Sequence, residues 1–382
     1  MKIINKTFIF ILAISLLIGG FGLSIGETYA LEYAESVPTK ASILIDMDSG
    51  RSLYEKESTK QMPVASIVKL MTILLTFEEV NSGNLSLDDN IMVSENASSM
   101  GGSQIFLDAN CEYNAGELLK SVIVCSANDS SVALAEEIAG SEENFVTKMN
   151  DKARAMGLEN TNYVSCTGLP AENQYSCAKD VAKILIEVLK FDKYHEYSSV
   201  WLENFTHPSG RTTEMTNTNR LSRFYEGCIG GKTGSTSEAG YCLAVGAERN
   251  NLRLVAVVLG ASTTKDRFKG ASDLLDFGFA NFENHKIDVR SNANISYKGE
   301  RNVEVRLEGN CSILTEKNKT PECEIISYLP SEISNCSMGD ELGYIEVLVN
   351  GEVYSKIRVF ANEDIKIPSY LDNLNEILDD FT

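Results

Sequence analysis

Residues 63–72 read Pro63-Val64-Ala65-Ser66-Ile67-Val68-Lys69-Leu70-Met71-Thr72, with a serine and a lysine three positions apart at the start of an apolar run. The apolar side chains recur at the spacing of one buried helix face, at Ile67, Leu70, Met71, Leu74 and Leu75. This spacing predicts a helix from Ser66 to about Val80. On a helix, positions i and i+3 lie on the same face, so the Lys69 amine can reach the Ser66 hydroxyl.

Two further motifs follow along the chain: Ser126-Ala127-Asn128 between helical runs, and Lys232-Thr233-Gly234 before a hairpin of strands. Taken singly, S-x-x-K and S-x-N are weak signals, because the first recurs at Ser176 and Ser262 and the second at Ser82. A helix cap, a solvated lysine or a turn glycine explains each motif alone. The ordered combination S-x-x-K, S-x-N, K-T-G is typical of penicillin-recognising serine enzymes.

The three motifs supply the groups that a serine acylation reaction needs. A serine hydroxyl is a poor nucleophile until a neighbouring base takes its proton. Lys69 is such a base only if its pKa is lowered, which burial beside a second ammonium group, that of Lys232, would do. Ser126 can relay a proton to a leaving amine, and Asn128 can hydrogen-bond a substrate amide. Backbone N–H groups at the start of the Ser66 helix suit an oxyanion.

The pattern of apolar residues divides the chain into two domains. Residues 31–284 alternate strand-like and helical runs, with hairpins at 41–55 and 241–260 and helices at 66–80, 115–139, 142–156, 178–190 and 266–282. Residues 285–365 carry only short strand-like runs, two of them joined by Asn350-Gly351, which is a strong hairpin signal. We therefore expect an α/β domain, an antiparallel sheet flanked by helices, followed by a small all-β, sandwich-like domain.

The two ends of the chain carry segments outside these domains. Residues 1–30 combine two lysines, an apolar run at 8–18 and Thr28-Tyr29-Ala30, a pattern typical of a secretory signal peptide, and predict export to the cell envelope. The apolar run is short for a membrane-spanning anchor. Residues 366–382 predict an amphipathic helix. From Pro368 onward it has four acidic residues and no basic one, so peripheral docking on the membrane is doubtful, and packing on protein is an equal alternative.

The composition excludes some classes of function. The 382 residues include 34 Lys and Arg against 54 Asp and Glu, a net charge of −20, which argues against nucleic-acid binding because a phosphate backbone needs a basic face. No C-x-x-C or H-E-x-x-H motif is present, and we expect no metal site. The nine cysteines are an odd number, and disulfides and free thiols are both compatible with the sequence.

Three alternatives compete with the serine–lysine interpretation. A Ser-His-Asp triad lacks the G-x-S-x-G motif and depends on the placement of His195, His207 or His285. A β-lactamase needs a group for fast deacylation, and Glu159-Asn160 and Glu172-Asn173 keep that alternative open. A non-catalytic wall-binding homologue would use the β domain as its working part, although the complete set of catalytic side chains counts against it.

The chain resembles the serine-type D-alanyl-D-alanine carboxypeptidases of the peptidase S11 family, which are low-molecular-mass penicillin-binding proteins, over nearly everything after the first thirty residues. Besides the three motifs, the similar segments are Pro63–Thr72, Gly102-Ser103 with Phe106-Leu107, Gln174-Tyr175-Ser176 and Gly240-Tyr241. The resemblance implies the β-lactamase/transpeptidase-like fold. It also implies a peptidoglycan stem peptide ending in D-Ala-D-Ala as substrate, β-lactams as covalent inhibitors, and no cofactor or metal.

The resemblance also implies a role for each site residue. Ser66 is the acyl-enzyme nucleophile and Lys69 its base, and the catalytic network is completed by Ser126, Asn128 and Lys232. The substrate-binding set implied is Thr233, Gly234, Ser235, Arg267 and Ser103.

Within that set, Thr233 and Arg267 match positions that bind the terminal carboxylate of the substrate, and the N–H groups of Ser66 and Ser235 match an oxyanion hole. Thr167 stands where many relatives have a histidine, and no catalytic role is assigned to it.

Overall fold

The computed structural model describes residues 39–297, 301–309, 311–333 and 335–365. The signal-peptide pattern at 1–30 and the predicted helix at 366–382 lie outside these residues. The chain divides into two compact units between Ala280 and Asn281.

The first unit contains the three motifs. Its strands are β1 (Ala41–Asp46), β2 (Ser52–Lys56), β3 (Asn90–Met92), β4 (Glu112–Asn114), β5 (Leu202–Thr206), β6 (Thr212–Thr216), β7 (Cys228–Thr236), β8 (Gly240–Arg249) and β9 (Leu252–Ala261). Its helices are α1 (Lys69–Asn81), α2 (Glu95–Ser98), α3 (Ala115–Val124), α4 (Asn128–Ala139), α5 (Glu142–Ala155), α6 (Ala178–Val188), α7 (Asp192–Ser199), α8 (Leu221–Phe224) and α9 (Thr264–Asn281).

Five strands form one antiparallel sheet in the order β2-β1-β9-β8-β7. Strands β1 and β9 are almost continuously apolar because both faces of the sheet are covered. On one face, Ile43 and Val257 belong to the core that includes α6. On the other face, Leu44 and Leu254 contact Gly278 of α9, where a Cβ atom would lie 2.4 Å from Leu254. The expected α/β architecture, a sheet flanked by helices, is confirmed.

Two predicted helices have different boundaries in the structure. The helix predicted from Ser66 begins as a short 3₁₀ helix, Ala65–Val68, and continues as α1. The helix predicted at 115–139 is two helices, because the carbonyl of Val124 accepts a hydrogen bond from Thr218 N and the N–H of Asn128 donates to Ser103 O. Both groups are thereby withdrawn from a continuous helical ladder.

In its described residues, the second unit is all-β apart from a 3₁₀ turn at Arg290–Asn292. Its strands are β10 (Phe282–Ile287), β11 (Ser296–Tyr297), β12 (Arg301–Asn302), β13 (Val305–Glu308), β14 (Cys311–Glu316), β15 (Cys323–Tyr328), β16 (Glu332–Ile333), β17 (Glu341–Val349) and β18 (Glu352–Ala361). The largest sheet has the order β13-β18-β17-β15. The turn at Asn350-Gly351 joins β17 to β18, as predicted, with φ of 54° and 80°.

The predicted boundary between residues 284 and 285 is four residues too late. Strand β10 begins at Phe282 and pairs along its whole length with β14, so its first residues already belong to the second unit. The expectation of a separate β unit at the C-terminal end of the chain is confirmed.

The structure also bears on the pairing of the cysteines and on membrane-spanning helices. All nine cysteines lie in the described part of the chain, and none of them forms a disulfide. Within the described ranges, no helix combines the length and the apolar character that crossing a bilayer requires.

Candidate active site

The candidate nucleophile, Ser66, lies in the 3₁₀ helix that precedes α1 and is partly exposed. The turn that brings it there is strained, since Ala65 has a φ of 50°. Gly168 packs against this turn so closely that a Cβ atom at Gly168 would lie 2.1 Å from Ala65 O. On the other side, a Cβ atom at Gly234 of β7 would lie 3.0 Å from Ser66 N. The nucleophile segment is therefore held between two glycines.

The amine of Lys69 is in hydrogen-bond contact with Ser66. Side chains at i and i+3 eclipse in a 3₁₀ helix, and the Lys69 Nζ lies 3.1 Å from Ser66 Oγ. The same amine donates to the carbonyl of Thr167 at 2.5 Å. Lys69 is completely buried, and burial lowers the pKa of its amine to about 7, although nearby acidic groups such as Asp129 act in the opposite direction. A large fraction of Lys69 is therefore neutral, and able to accept a proton, near neutral pH.

Ser126 and Lys232 form a second serine–lysine pair. The Lys232 amine donates to Ser126 Oγ at 2.7 Å, and both side chains are buried. Ser126 has a φ of 65°, a left-handed conformation in the break between α3 and α4. Burial, together with the charges of Lys69 and Arg267, holds the pKa of Lys232 well below its ordinary value.

Asn128 begins α4 and is tied to the loop at residues 101–107. Its backbone N–H donates to Ser103 O at 2.7 Å, and its Nδ2 donates to Gly101 O at 2.6 Å. The Oδ1 atom of Asn128 is buried and has no hydrogen-bond partner in the protein. A buried acceptor without a partner is costly, so this atom is available for an N–H group of a bound ligand. Ser103 itself is exposed on the loop.

Strand β7 carries Thr233, Gly234 and Ser235 beside the nucleophile segment. Thr233 is buried, with its hydroxyl bonded to Thr218, whereas Ser235 is exposed. Arg267, in α9, reaches back to β7 and donates to Gly234 O at 3.3 Å. Its Nε atom is buried and without a partner, and burial lowers the pKa of its guanidinium group. A buried arginine with a free donor is suited to an anionic group of a ligand.

Two features of the site were not indicated by the motifs. Thr167 contributes its backbone carbonyl to Lys69, a role that is independent of its side chain and hence invisible in sequence. Asp129 is buried and accepts hydrogen bonds from the N–H groups of Ile105 and Leu107 at 3.1 and 3.2 Å. Its position directly after the S-x-N motif is the sequence signal that could have indicated it.

Cys125, directly before Ser126, is not an activated nucleophile. Burial, reinforced by the charge of Asp129, raises the pKa of its thiol to about 12. A thiol that stays protonated at neutral pH reacts slowly, because the thiolate is the reactive form.

The three histidines each have partners other than a candidate nucleophile, which counts against the Ser-His-Asp alternative. The histidine contacts are His195 with the carbonyls of Ile229 and Leu189, His207 with Tyr113, Thr213 and Arg211, and His285 with Thr315.

Among the described residues, no group of three His, Cys, Asp or Glu side chains is placed to hold a metal ion.

The structure thus brings all five predicted catalytic residues together as two serine–lysine pairs, of which only Ser66 is partly exposed, and an adjacent asparagine. Such a site can deprotonate one serine, protonate a leaving group through the other, and hold an amide and a carboxylate. The arrangement suits acyl transfer from an anionic peptide.

Comparison with known proteins gives the same family. A model of the D-alanyl-D-alanine carboxypeptidase family, peptidase S11, matches residues 29–263. The D-alanyl-D-alanine carboxypeptidase DacF of Bacillus subtilis is 38% identical over 352 residues, which cover 90% of each chain. DacC of Escherichia coli is 36% identical over 257 residues, 65% of this chain and 63% of that protein. The crystal structure of penicillin binding protein 5 from Haemophilus influenzae has a TM-score of 0.69 and 29% identity, covering 86% of this chain and 98% of that one.

The family match spans the three motifs, and the solved relative matches this chain in fold over most of its length. The chain belongs to the peptidase S11 family of serine-type D-alanyl-D-alanine carboxypeptidases, with the transpeptidase-like fold.

Proposed function

We propose that this carboxypeptidase removes the terminal D-alanine from peptidoglycan stem peptides through an acyl-enzyme on Ser66. The observation that carries the proposal is the contact between the buried Lys69 amine and Ser66 Oγ at 3.1 Å, with a Lys69 pKa of about 7. A base is most effective when its pKa lies near the working pH.

Substrate binding uses the groups that have free hydrogen-bonding capacity. The terminal carboxylate binds at Arg267 and Thr233, where the buried Arg267 Nε has no protein partner. The amide that precedes the scissile bond donates to the free Oδ1 of Asn128. Approach of the carboxylate also favours the charged form of Lys232, because an opposite charge raises the pKa of a lysine.

Acylation forms one bond and breaks one. Lys69 takes the proton of Ser66 while Oγ attacks the carbonyl carbon of the penultimate D-alanine, and the resulting oxyanion is stabilised by the N–H groups of Ser66 and Ser235. The C–N bond then breaks. Ser126 donates its hydroxyl proton to the leaving nitrogen and is reprotonated from Lys232, with which it shares a hydrogen bond. D-alanine leaves as the free amino acid.

Before deacylation Lys69 releases to solvent the proton that it took from Ser66, and Lys232 takes one from solvent, which restores both lysines. Neutral Lys69 then takes a proton from a water molecule, whose oxygen attacks the ester carbon, and gives this proton to Ser66 Oγ as the ester bond breaks. The products are a peptide shortened by one residue and the free enzyme, so one water molecule is consumed for each D-alanine released.

The test compares Ser66→Ala with the parent protein and with Ser82→Ala. Ser82 is exposed and stands in an S-x-N sequence of its own, which makes it a matched control. We expect the parent and Ser82→Ala to bind a labelled β-lactam covalently and to release D-alanine from a pentapeptide ending in D-Ala-D-Ala. Ser66→Ala should do neither. A covalent adduct that persists in Ser66→Ala, or a parent without D-alanine release, would overturn the mechanism.

A β-lactamase activity is less well supported. The two candidate residues for deacylation, Glu159 and Glu172, are both exposed. Neither has a hydrogen bond to Ser66 or Lys69 among the contacts described. We expect a β-lactam adduct that lasts far longer than the acyl-enzyme formed with the peptide, and rapid turnover of the β-lactam would favour the alternative.

We propose further that the enzyme works outside the cytoplasm, as the pattern at residues 1–30 predicts. Fractionation of cells producing the full chain tests this, with cytoplasmic retention as the contrary result. Liposome flotation of the protein with and without residues 366–382 tests membrane docking, and identical behaviour of the two forms would exclude an anchor in that segment.

A further inference from the structure

Phe106 lies in the loop at residues 101–107 and combines two unfavourable properties. Its side chain is 55% exposed, although its neighbours Ile105 and Leu107 are buried. Its backbone has a φ of 63°, the left-handed region that a bulky residue rarely adopts. Glycine would adopt this conformation at little cost and would expose no aromatic ring. The stability of the fold therefore does not explain a phenylalanine at this position.

The surrounding backbone is bonded so that Phe106 stays in this conformation. The N–H groups of Ile105 and Leu107 both donate to the buried carboxylate of Asp129, at 3.1 and 3.2 Å. The carbonyl of Phe106 accepts a hydrogen bond from Arg211 at 2.5 Å. The loop is thus fixed on both sides of the exposed ring, and an ordered aromatic surface loses little conformational entropy when it binds a ligand.

The same loop carries the hydrogen-bond partners of Asn128. Asn128 bonds to Gly101 O through its side chain and to Ser103 O through its backbone. The residues on either side of Phe106, Ile105 and Leu107, donate their N–H groups to Asp129, which directly follows Asn128, so the backbone of Phe106 lies on the Asn128 side of the site. The carboxylate-binding groups, in contrast, lie on β7 and α9.

From this placement we infer that Phe106 is a substrate-contacting residue that binds the apolar part of the stem peptide preceding D-Ala-D-Ala. The inference rests on the proposed function, in which Asn128 binds the amide on that same side of the scissile bond. When an aliphatic side chain of the peptide contacts the exposed phenyl ring, both lose water-accessible apolar surface. This burial favours binding of a peptide that extends beyond D-Ala-D-Ala over binding of the dipeptide alone.

The experiment compares Phe106→Ala with Leu202→Ala, a control that removes another side chain of similar exposure, 54%, at the start of β5. D-alanine release is measured with a pentapeptide ending in D-Ala-D-Ala and with N-acetyl-D-Ala-D-Ala, which lacks the preceding residues. Phe106→Ala should lower kcat/KM for the pentapeptide at least about fivefold, through KM, and change that for the short peptide less than about twofold. Leu202→Ala should change neither.

A second variant, Phe106→Gly, separates substrate binding from folding. Relief of the left-handed strain should raise its Tm by about 2–4 °C, while kcat/KM for the pentapeptide falls as in Phe106→Ala. Unchanged kcat/KM for the pentapeptide, or an equal loss with both peptides, would overturn the inference alone. Absence of D-alanine release from both peptides by the parent protein would overturn the proposed function as well.

Discussion

The Nζ atom of Lys69 donates a hydrogen bond to the carbonyl of Thr167, a residue 98 positions further along the chain. An amine that uses an N–H group in this way, and lies 3.1 Å from Ser66 Oγ, can direct its lone pair toward the hydroxyl when it is neutral. The contact therefore orients the base as well as joining two distant segments.

The rate of acylation should depend on pH through Lys69. The neutral amine is the active form and its pKa is about 7, so the second-order rate constant for a labelled β-lactam should rise with pH up to about 7 and level off above it. Lys69→Arg keeps a positive charge but lacks a neutral form in this pH range. It should react at least about 100-fold more slowly, and its rate should not show the rise with pH up to about 7. A parent rate that is flat between pH 5.5 and 8.5 would contradict the assignment of Lys69 as base.

The burial of Lys69 should also appear in the stability of the protein. The folded-state pKa is lowered to about 7, whereas an unfolded lysine titrates near 10.4. Between these values the unfolded chain binds the additional proton, so the free energy of unfolding contributed by this group rises with pH. The stability of the parent relative to Lys69→Met should therefore increase from about pH 7 to pH 10, as measured by urea unfolding.

The exposed Lys60 provides the control for the loss of a lysine. Lys60→Met should follow the parent across the same pH range. A difference between the parent and Lys69→Met that does not vary with pH would exclude a titrating Lys69.

Gly168→Ala should damage both the fold and the activity. The residue has a φ of 80°, and a Cβ atom would lie 2.1 Å from Ala65 O, next to the nucleophile. Gly210 is a matched control, with a φ of 81° and no atom within 4 Å of its Cβ position. Gly210→Ala should cost only the backbone strain, about 1–3 kcal/mol.

For Gly168→Ala we expect a larger loss of unfolding free energy and a fall of at least about tenfold in β-lactam acylation, because Ser66 must move with Ala65. Equal effects of the two substitutions, measured by urea unfolding and adduct formation, would show that the close approach is without consequence.

Arg267→Gln should abolish the preference of the enzyme for a peptide with a free C-terminal carboxylate. The parent should prefer a peptide with a free C-terminus over the same peptide with a C-terminal amide, and the variant should lose about 10- to 100-fold in kcat/KM on the free acid alone. This corresponds to the roughly 1.5–3 kcal/mol of a hydrogen bond to a charged group. The control is Arg154→Gln, an exposed arginine in α5. Equal losses on both peptides would assign Arg267 a role in packing rather than in recognition.

Nine thiols should be available when the protein unfolds. None of the cysteines is paired, so alkylation in denaturant without a reductant should add nine labels by intact mass. Under native conditions Cys323, which is exposed, should react first, whereas buried cysteines such as Cys166 should require unfolding. A count of labels that increases after reduction would contradict the unpaired state.

Much of the fold follows from local sequence. Turn residues that tolerate left-handed backbone, Asn250-Asn251 and Asn350-Gly351, identify two hairpins, and both sites adopt positive φ. The S-x-N motif is expected between helical runs, but the hydrogen bonds that form the break at Ser126, from Thr218 and to Ser103, involve residues distant in the chain and are not predictable in this way.

In the site, the sequence predicts the catalytic side chains but not the backbone groups that bind them. Motifs contain side chains, so they indicated the serines, the lysines and Asn128, but they carry no information about the carbonyl of Thr167 or the N–H groups that bind Asp129. The pKa of Lys69 is likewise a property of its burial, which spacing alone does not give.

The hydrogen bonds of the two catalytic lysines are also tertiary contacts between separate segments of the chain. Lys69 joins the start of α1 to residue 167, and Lys232 joins β7 to the break between α3 and α4. Loosening any one of these segments removes a proton-transfer contact before the rest of the unit has melted. Heat should thus abolish β-lactam labelling at a lower temperature than the one at which the first unit loses its secondary structure, so residual labelling measures the fraction of molecules whose site is intact.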